Sequence, residues 1–87
     1  MKLLKFGANW CTPCRVLEER LKGFDACELE VFDVDDEANE HYVEKFGIRG
    51  IPLLVLVDDE GNELKRWSGL VNVEDVKKEI KNMGTDA

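Results

Sequence analysis

Cys11 and Cys14 stand two residues apart in the run Trp10-Cys11-Thr12-Pro13-Cys14, and thiols at that spacing can do chemistry. Ahead of them lies an apolar stretch (Leu3, Leu4, Phe6, Ala8), and behind them an amphipathic one begins. A strand that hands a C-x-x-C pair to the first turn of a helix sets one sulfur at the helix end. Unsatisfied backbone N–H groups carry partial positive charge there and favour thiolate over thiol. The second sulfur lies one turn further in, within reach of the first for a disulfide. Pro13 suits a first helical turn, where its missing N–H costs nothing. The pair reads as a redox dithiol: Cys11 attacks a partner disulfide, then Cys14 attacks Cys11, releasing the reduced partner and leaving the two cysteines joined. Zinc is the competing use of a C-x-x-C. A closed zinc site needs four ligands, and the only others on offer are Cys27 and His41, with a predicted strand between them and no second paired motif. An iron–sulfur cluster shared by two chains and a pair of inert, buried cysteines are the remaining alternatives.

Composition bounds the partners. At 87 residues, 44% hydrophobic and 36% charged, the chain has the make-up of one small globular domain rather than a disordered one. A net charge of −7 disfavours nucleic acid and anionic membrane surfaces. No apolar run approaches the roughly 18 residues of a membrane span. No continuous apolar segment precedes Cys11 in the manner of a signal peptide, so a reducing cytoplasm is the expected compartment. Three cysteines do not make a disulfide framework there, and a close pair is catalytic or metal-binding. Cys27, between a helix end and a strand, is expected as a buried inert thiol, and His41 and the acidic run 33–37 as solvated.

The elements that must position the dithiol follow from periodicity. Residues 2–8 form a short strand, and Asn9 and Trp10 bend into the site. Val16, Leu17, Leu21 and Phe24 recur at helical spacing from Pro13 onward, until Gly23 weakens the helix. Residues 28–34 give a second strand, and Asp35 or Asp36 caps a helix over 37–46 with Ala38, Tyr42, Val43 and Phe46 on one side and Gly47 at its stop. Five apolar residues after Pro52 predict a strand buried on both faces, and a proline at its start must be spared a ladder hydrogen bond. Residues 58–62 form a hairpin loop, 63–68 return as a strand, and Gly69 breaks it. Asn72 caps a last helix, 73–82, whose stripe is Val73, Val76, Ile80 and Met83. Residues 1–83 therefore make one domain, and 84–87 a frayed tail. The order β-α-β-α-β-β-α gives an α/β fold: a parallel β-α-β unit extended by an antiparallel hairpin, a four-stranded mixed sheet with helices on both faces.

W-C-x-P-C after a short apolar strand resembles the active site of the thioredoxin family, and Gly47-Ile48-Arg49-Gly50-Ile51-Pro52 closely resembles the thioredoxin sequence around its Ile-Pro bond. The element order matches the minimal thioredoxin-like fold. Full-length members carry a further strand and helix ahead of this first strand, so the likeness is to a trimmed thioredoxin of glutaredoxin-like dimensions. The resemblance implies a cis Ile51–Pro52 bond beside the dithiol, with Ile51 offering backbone N–H and C=O to an extended substrate segment. It implies that Trp10 lies over the disulfide and shapes the docking surface. Gly69 matches the glycine that leaves room for a bound chain, and is equally a plain strand end.

Two positions depart from the family. Thioredoxins hold a buried aspartate where this chain has Lys5, six residues before the first cysteine, and that acid assists proton transfer at the inner thiol. Lys5 favours thiolate if it sits near the site, and does nothing if it reaches solvent. Glu30 on the neighbouring strand is the candidate substitute. Thr12 replaces the usual glycine, and the intervening pair tunes the redox potential. The expected activity is disulfide reduction in protein substrates by a monomer. Electrons come from a separate reductase, because no G-x-G-x-x-G fingerprint occurs and no cofactor is expected. The alternatives are a glutaredoxin-like reductant drawing on glutathione and a non-catalytic adaptor on the same fold.

Overall fold

Leu3, Leu4, Lys5, Phe6 and Gly7 are all buried, which only a central strand covered on both faces achieves. This strand, β1 (Lys2–Gly7), appears in a computed structural model that describes residues 1–84. It leads into α1 (Thr12–Arg20), then β2 (Glu28–Asp33), which pairs parallel to β1. A 3₁₀ turn at Glu37–Asn39 runs into α2 (Glu40–Phe46), followed by β3 (Leu53–Val57), β4 (Glu63–Ser68) and α3 (Val73–Gly84). The sheet order is β2-β1-β3-β4, with both β1–β3 and β3–β4 antiparallel, so the mixed four-stranded sheet expected from the sequence is present.

Alternation along each strand divides the core in two. Leu3, Leu54 and Leu56 face α1 and α3 and pack with Leu17, Leu21, Val73, Val76 and Ile80. Leu4, Phe6, Leu53, Val55 and Val57 face the other way and pack with Phe32 and with Phe46 of α2. Phe6 stacks on Phe32 at 5.2 Å between ring centroids, which ties β1 to β2 on the α2 face of the sheet. Each fully buried leucine is worth about 1.5–3 kcal/mol relative to exposure.

Several details differ from the sequence reading. In α1 the buried positions are Cys14, Leu17 and then Leu21 at its C-cap, whereas Val16 is exposed. Val16 lies two residues after Cys14, about 200° around the helix, so it points away from the sheet. The helix expected over 37–46 begins as a 3₁₀ turn, with Asp36 accepting the Ala38 N–H at 2.9 Å and Ala38 left exposed. Met83 is half-exposed, because the last turn of α3 runs past the cluster that ends with Ile80. Gly84, expected in a tail, is the last helical residue, and the rest of that tail, 85–87, lies outside the described residues. Among the described residues no helix is long and apolar enough to cross a membrane.

Candidate active site

The dithiol sits where β1 ends and α1 begins. After Gly7 the chain tightens so that the Cys11 N–H donates to Ala8 O at 3.2 Å, and Cys11 becomes the N-cap with extended backbone. Its sulfur accepts the Cys14 N–H at 3.3 Å, the position a serine or aspartate oxygen takes in an ordinary cap. An N–H aimed at sulfur, together with the helix N-terminus, stabilises thiolate at Cys11 in the reduced protein. Thr12 and Pro13 are exposed and fill the first turn, and Pro13 leaves no orphan donor there. Cys11 and Cys14 are joined as a disulfide with their Cα atoms 5.2 Å apart. The two are not equivalent: Cys11 retains 7% of its surface and Cys14 only 1%.

Three other segments close around the pair. Val34 continues the parallel pairing, donating its N–H to Gly7 O at 2.9 Å, and packs with Ala8 and Ile51 against the two cysteines. Ile51–Pro52 is cis, as the resemblance implied. Pro52 O accepts the Gly69 N–H at 2.9 Å, which pins the turn before β3 to the end of β4. Gly69 adopts φ +78°, a left-handed conformation that favours glycine, and no atom lies within 4 Å of where a Cβ would stand. Ile51, Pro52 and Gly69 thus line one groove beside the dithiol, with Arg49 and Arg66 on its margin.

Trp10 is 70% exposed, and its indole N–H donates to Asp35 Oδ2 at 2.6 Å. Asp35 was expected as part of a solvated acidic run or as the cap of the next helix, a place that Asp36 takes. The parallel pairing of β2 with β1 could have flagged it, since the loops that follow two parallel neighbours emerge at the same sheet edge. Glu30 does not substitute for the missing acid. It lies on the opposite face of β2 from the dithiol and pairs with Lys2 at 3.1 Å.

Lys5 is buried, with 3% of its surface exposed, and its side chain runs between Val31 and Leu54 toward the inner cysteine. A methyl group built on Gly7 would stand 3.2 Å from Cys14 Sγ and 3.4 Å from Lys5 Nζ, so sulfur and ammonium flank one point. Cys27 lies at the other end of the sheet, half-buried against the α1/α3 core, where burial raises its pKa and keeps it a thiol. His41 is exposed on α2, its ring 4.0 Å from that of Tyr42. Among the described residues no cluster of His, Cys, Asp and Glu could hold a metal ion.

A C-x-x-C disulfide at a helix start, beside a cis-proline on a mixed sheet, defines a thiol-disulfide oxidoreductase of α/β architecture. The family model described as Thioredoxin matches residues 1–82, and the chain belongs to the thioredoxin family. A thioredoxin of Chlamydia muridarum is 36% identical over 81 residues, covering 90% of this chain and 78% of that protein. The SPbeta prophage-derived thioredoxin-like protein YosR of Bacillus subtilis is 30% identical over 69 residues, covering 79% and 82% of the two chains. The X-ray structure of Fasciola hepatica thioredoxin superposes with a TM-score of 0.74 at 30% identity, over 93% of this chain and 78% of that one. The protein accordingly carries protein-disulfide oxidoreductase activity through its Cys11–Cys14 pair.

Proposed function

We propose that this protein works as a reductant of partner-protein disulfides, with Cys11 as nucleophile and Cys14 as resolving thiol. The observation that carries the assignment is the inequality of the two sulfurs: Cys11 caps the helix and keeps some exposure, while Cys14 is sealed beneath it. The Cys11 thiolate attacks one sulfur of the partner disulfide, forming a mixed disulfide as the partner's S–S bond breaks and its other sulfur leaves as thiolate. The Cys14 thiolate then attacks Cys11 Sγ, the mixed bond breaks, and the second partner sulfur leaves. Two electrons have passed to the partner. Ile51 and Pro52 hold an extended partner segment, with Gly69 leaving space for its backbone, and Trp10 supplies an exposed apolar face beside the attacking sulfur. Thr12 and Pro13 shape the loop between the thiols.

The same reading makes the protein a cytoplasmic monomer recharged by a separate reductase, since no nucleotide-binding fingerprint occurs in its sequence. Single substitutions test the roles. Cys14→Ser accumulates a mixed disulfide with a disulfide-bonded protein substrate, and Cys11→Ser forms none. Turnover of such substrates driven by a dithiol, with no requirement for glutathione, is the expected result. Trapping through Cys14 instead of Cys11 would reverse the assignment, and partner binding without turnover by the unmutated protein would make it an adaptor.

A further inference from the structure

Lys5 is the one buried charged side chain among the described residues, and the two-step exchange as written so far gives it no part. Its ammonium shares with Cys14 Sγ the space in front of Gly7, on the wall of a cavity of about 140 Å³ that reaches the surface between β2 and α1. No hydrogen-bond or ion-pair partner holds Lys5 Nζ among the described residues, and since no fully buried side-chain N or O among them lacks a partner, its tip keeps contact with the water of that cavity. The other charged groups on that cavity are Arg15 and Glu18 of α1 and Asp33 at the end of β2. Arg15 and Glu18 are exposed, and Asp33 is half-buried with its Oδ1 accepting the Asp35 N–H at 2.9 Å. Water screens those three more than it screens Lys5. The nearest strongly buried charge to the inner sulfur is therefore positive.

We propose that Lys5 is a positioning residue for the resolving step: its buried positive charge stabilises the Cys14 thiolate, so that the Cys14 proton leaves through the adjoining cavity. This inference rests on the assignment of Cys14 as the resolving thiol. Cys14 at 1% exposure is in surroundings that by desolvation alone disfavour thiolate. A buried carboxylate overcomes that by accepting the proton. Lys5 overcomes it by pairing with the charge left behind. In the resolving step the proton passes from Cys14 to water, for which the cavity has room at about 30 Å³ per molecule. The Cys14 thiolate forms its bond to Cys11 Sγ, the mixed disulfide breaks, and the departing partner thiolate takes up a proton from solvent. Atoms, charge and electrons balance with no further reagent.

The test is the ionisation of Cys14, followed by ultraviolet thiolate absorbance across pH in protein carrying Cys11→Ser and Cys27→Ser. With Lys5 in place the midpoint is expected at or below the ordinary cysteine value of about 8.5, despite burial. Lys5→Met, which keeps the apolar stem, raises the midpoint by about one unit or more, a roughly tenfold change in acid constant. Lys5→Arg restores it. In protein with both active cysteines, Lys5→Met slows release of a preformed mixed disulfide about threefold per tenfold lost in acidity, because the more basic thiolate is also the better nucleophile. A midpoint well above 8.5 with Lys5 present overturns the proposal, and does so even if no Lys5 variant folds. An unmoved midpoint and an unmoved release rate in Lys5→Met overturn it too. Failure of the Cys14 assignment itself looks different, since Cys14→Ser would then trap no mixed disulfide.

Discussion

The same disulfide presents one sulfur to the surface and one to a buried lysine, and that inequality gives each thiol its task. Cys11 is served by backbone, through the N–H of Cys14 and the helix start; Cys14 is served by a side chain two strand positions before Gly7. Both cysteines were legible in the sequence because C-x-x-C chemistry is local, fixed by spacing and by Pro13. Lys5 was visible as a departure, but its direction was not: a lysine stem packs equally well on the way to solvent or to a cavity. Asp35 was one of four acidic residues in the run 33–37 and emerged only once β2 was paired with β1. At this scale Asp35→Ala should cost stability on the order of 1 kcal/mol or less, both partners being exposed. Its visible effect should be a freer Trp10 indole, read as lower fluorescence anisotropy in a Trp67→Phe background with the urea midpoint nearly unmoved.

Short elements carry the fold, and their phase is what the sequence rendered least securely. The run Leu53–Val57 announced a strand covered on both faces, and all five residues are buried. Helix α1 has only nine residues, too few for its apolar pattern to fix a face by itself. Val16 fits a stripe drawn from Pro13, whereas the sheet selects the stripe drawn from Cys14, so the inner cysteine is as much a core residue as a reactive one. Leu17→Ala should therefore cost about 2–5 kcal/mol, because it empties a fully buried site between α1 and β3. Val16→Ala should stay within about 0.5 kcal/mol. Paired urea unfolding curves check both, and equal losses would mean that α1 is turned differently from the helix described.

Over the whole molecule, the functional residues come from places far apart in sequence and meet at one end of the sheet. The end of β1, the start of α1, the loop after β2, the cis Ile51–Pro52 turn and Gly69 after β4 all converge there. Topology brings them together: the parallel β1–β2 pair sends both of its following loops to that edge, and antiparallel β3 begins at the same edge. Pattern and topology rules reached that convergence without any side-chain contact, whereas burial within it needed coordinates. The most direct test of the account is an equilibrium redox titration of the Cys27→Ser protein against a thiol–disulfide buffer, followed by tryptophan fluorescence and by thiol counting. It predicts one reversible two-electron transition between Cys11–Cys14 dithiol and disulfide, abolished by Cys14→Ser. A protein that stays folded and shows no two-electron transition would contradict the account at its centre.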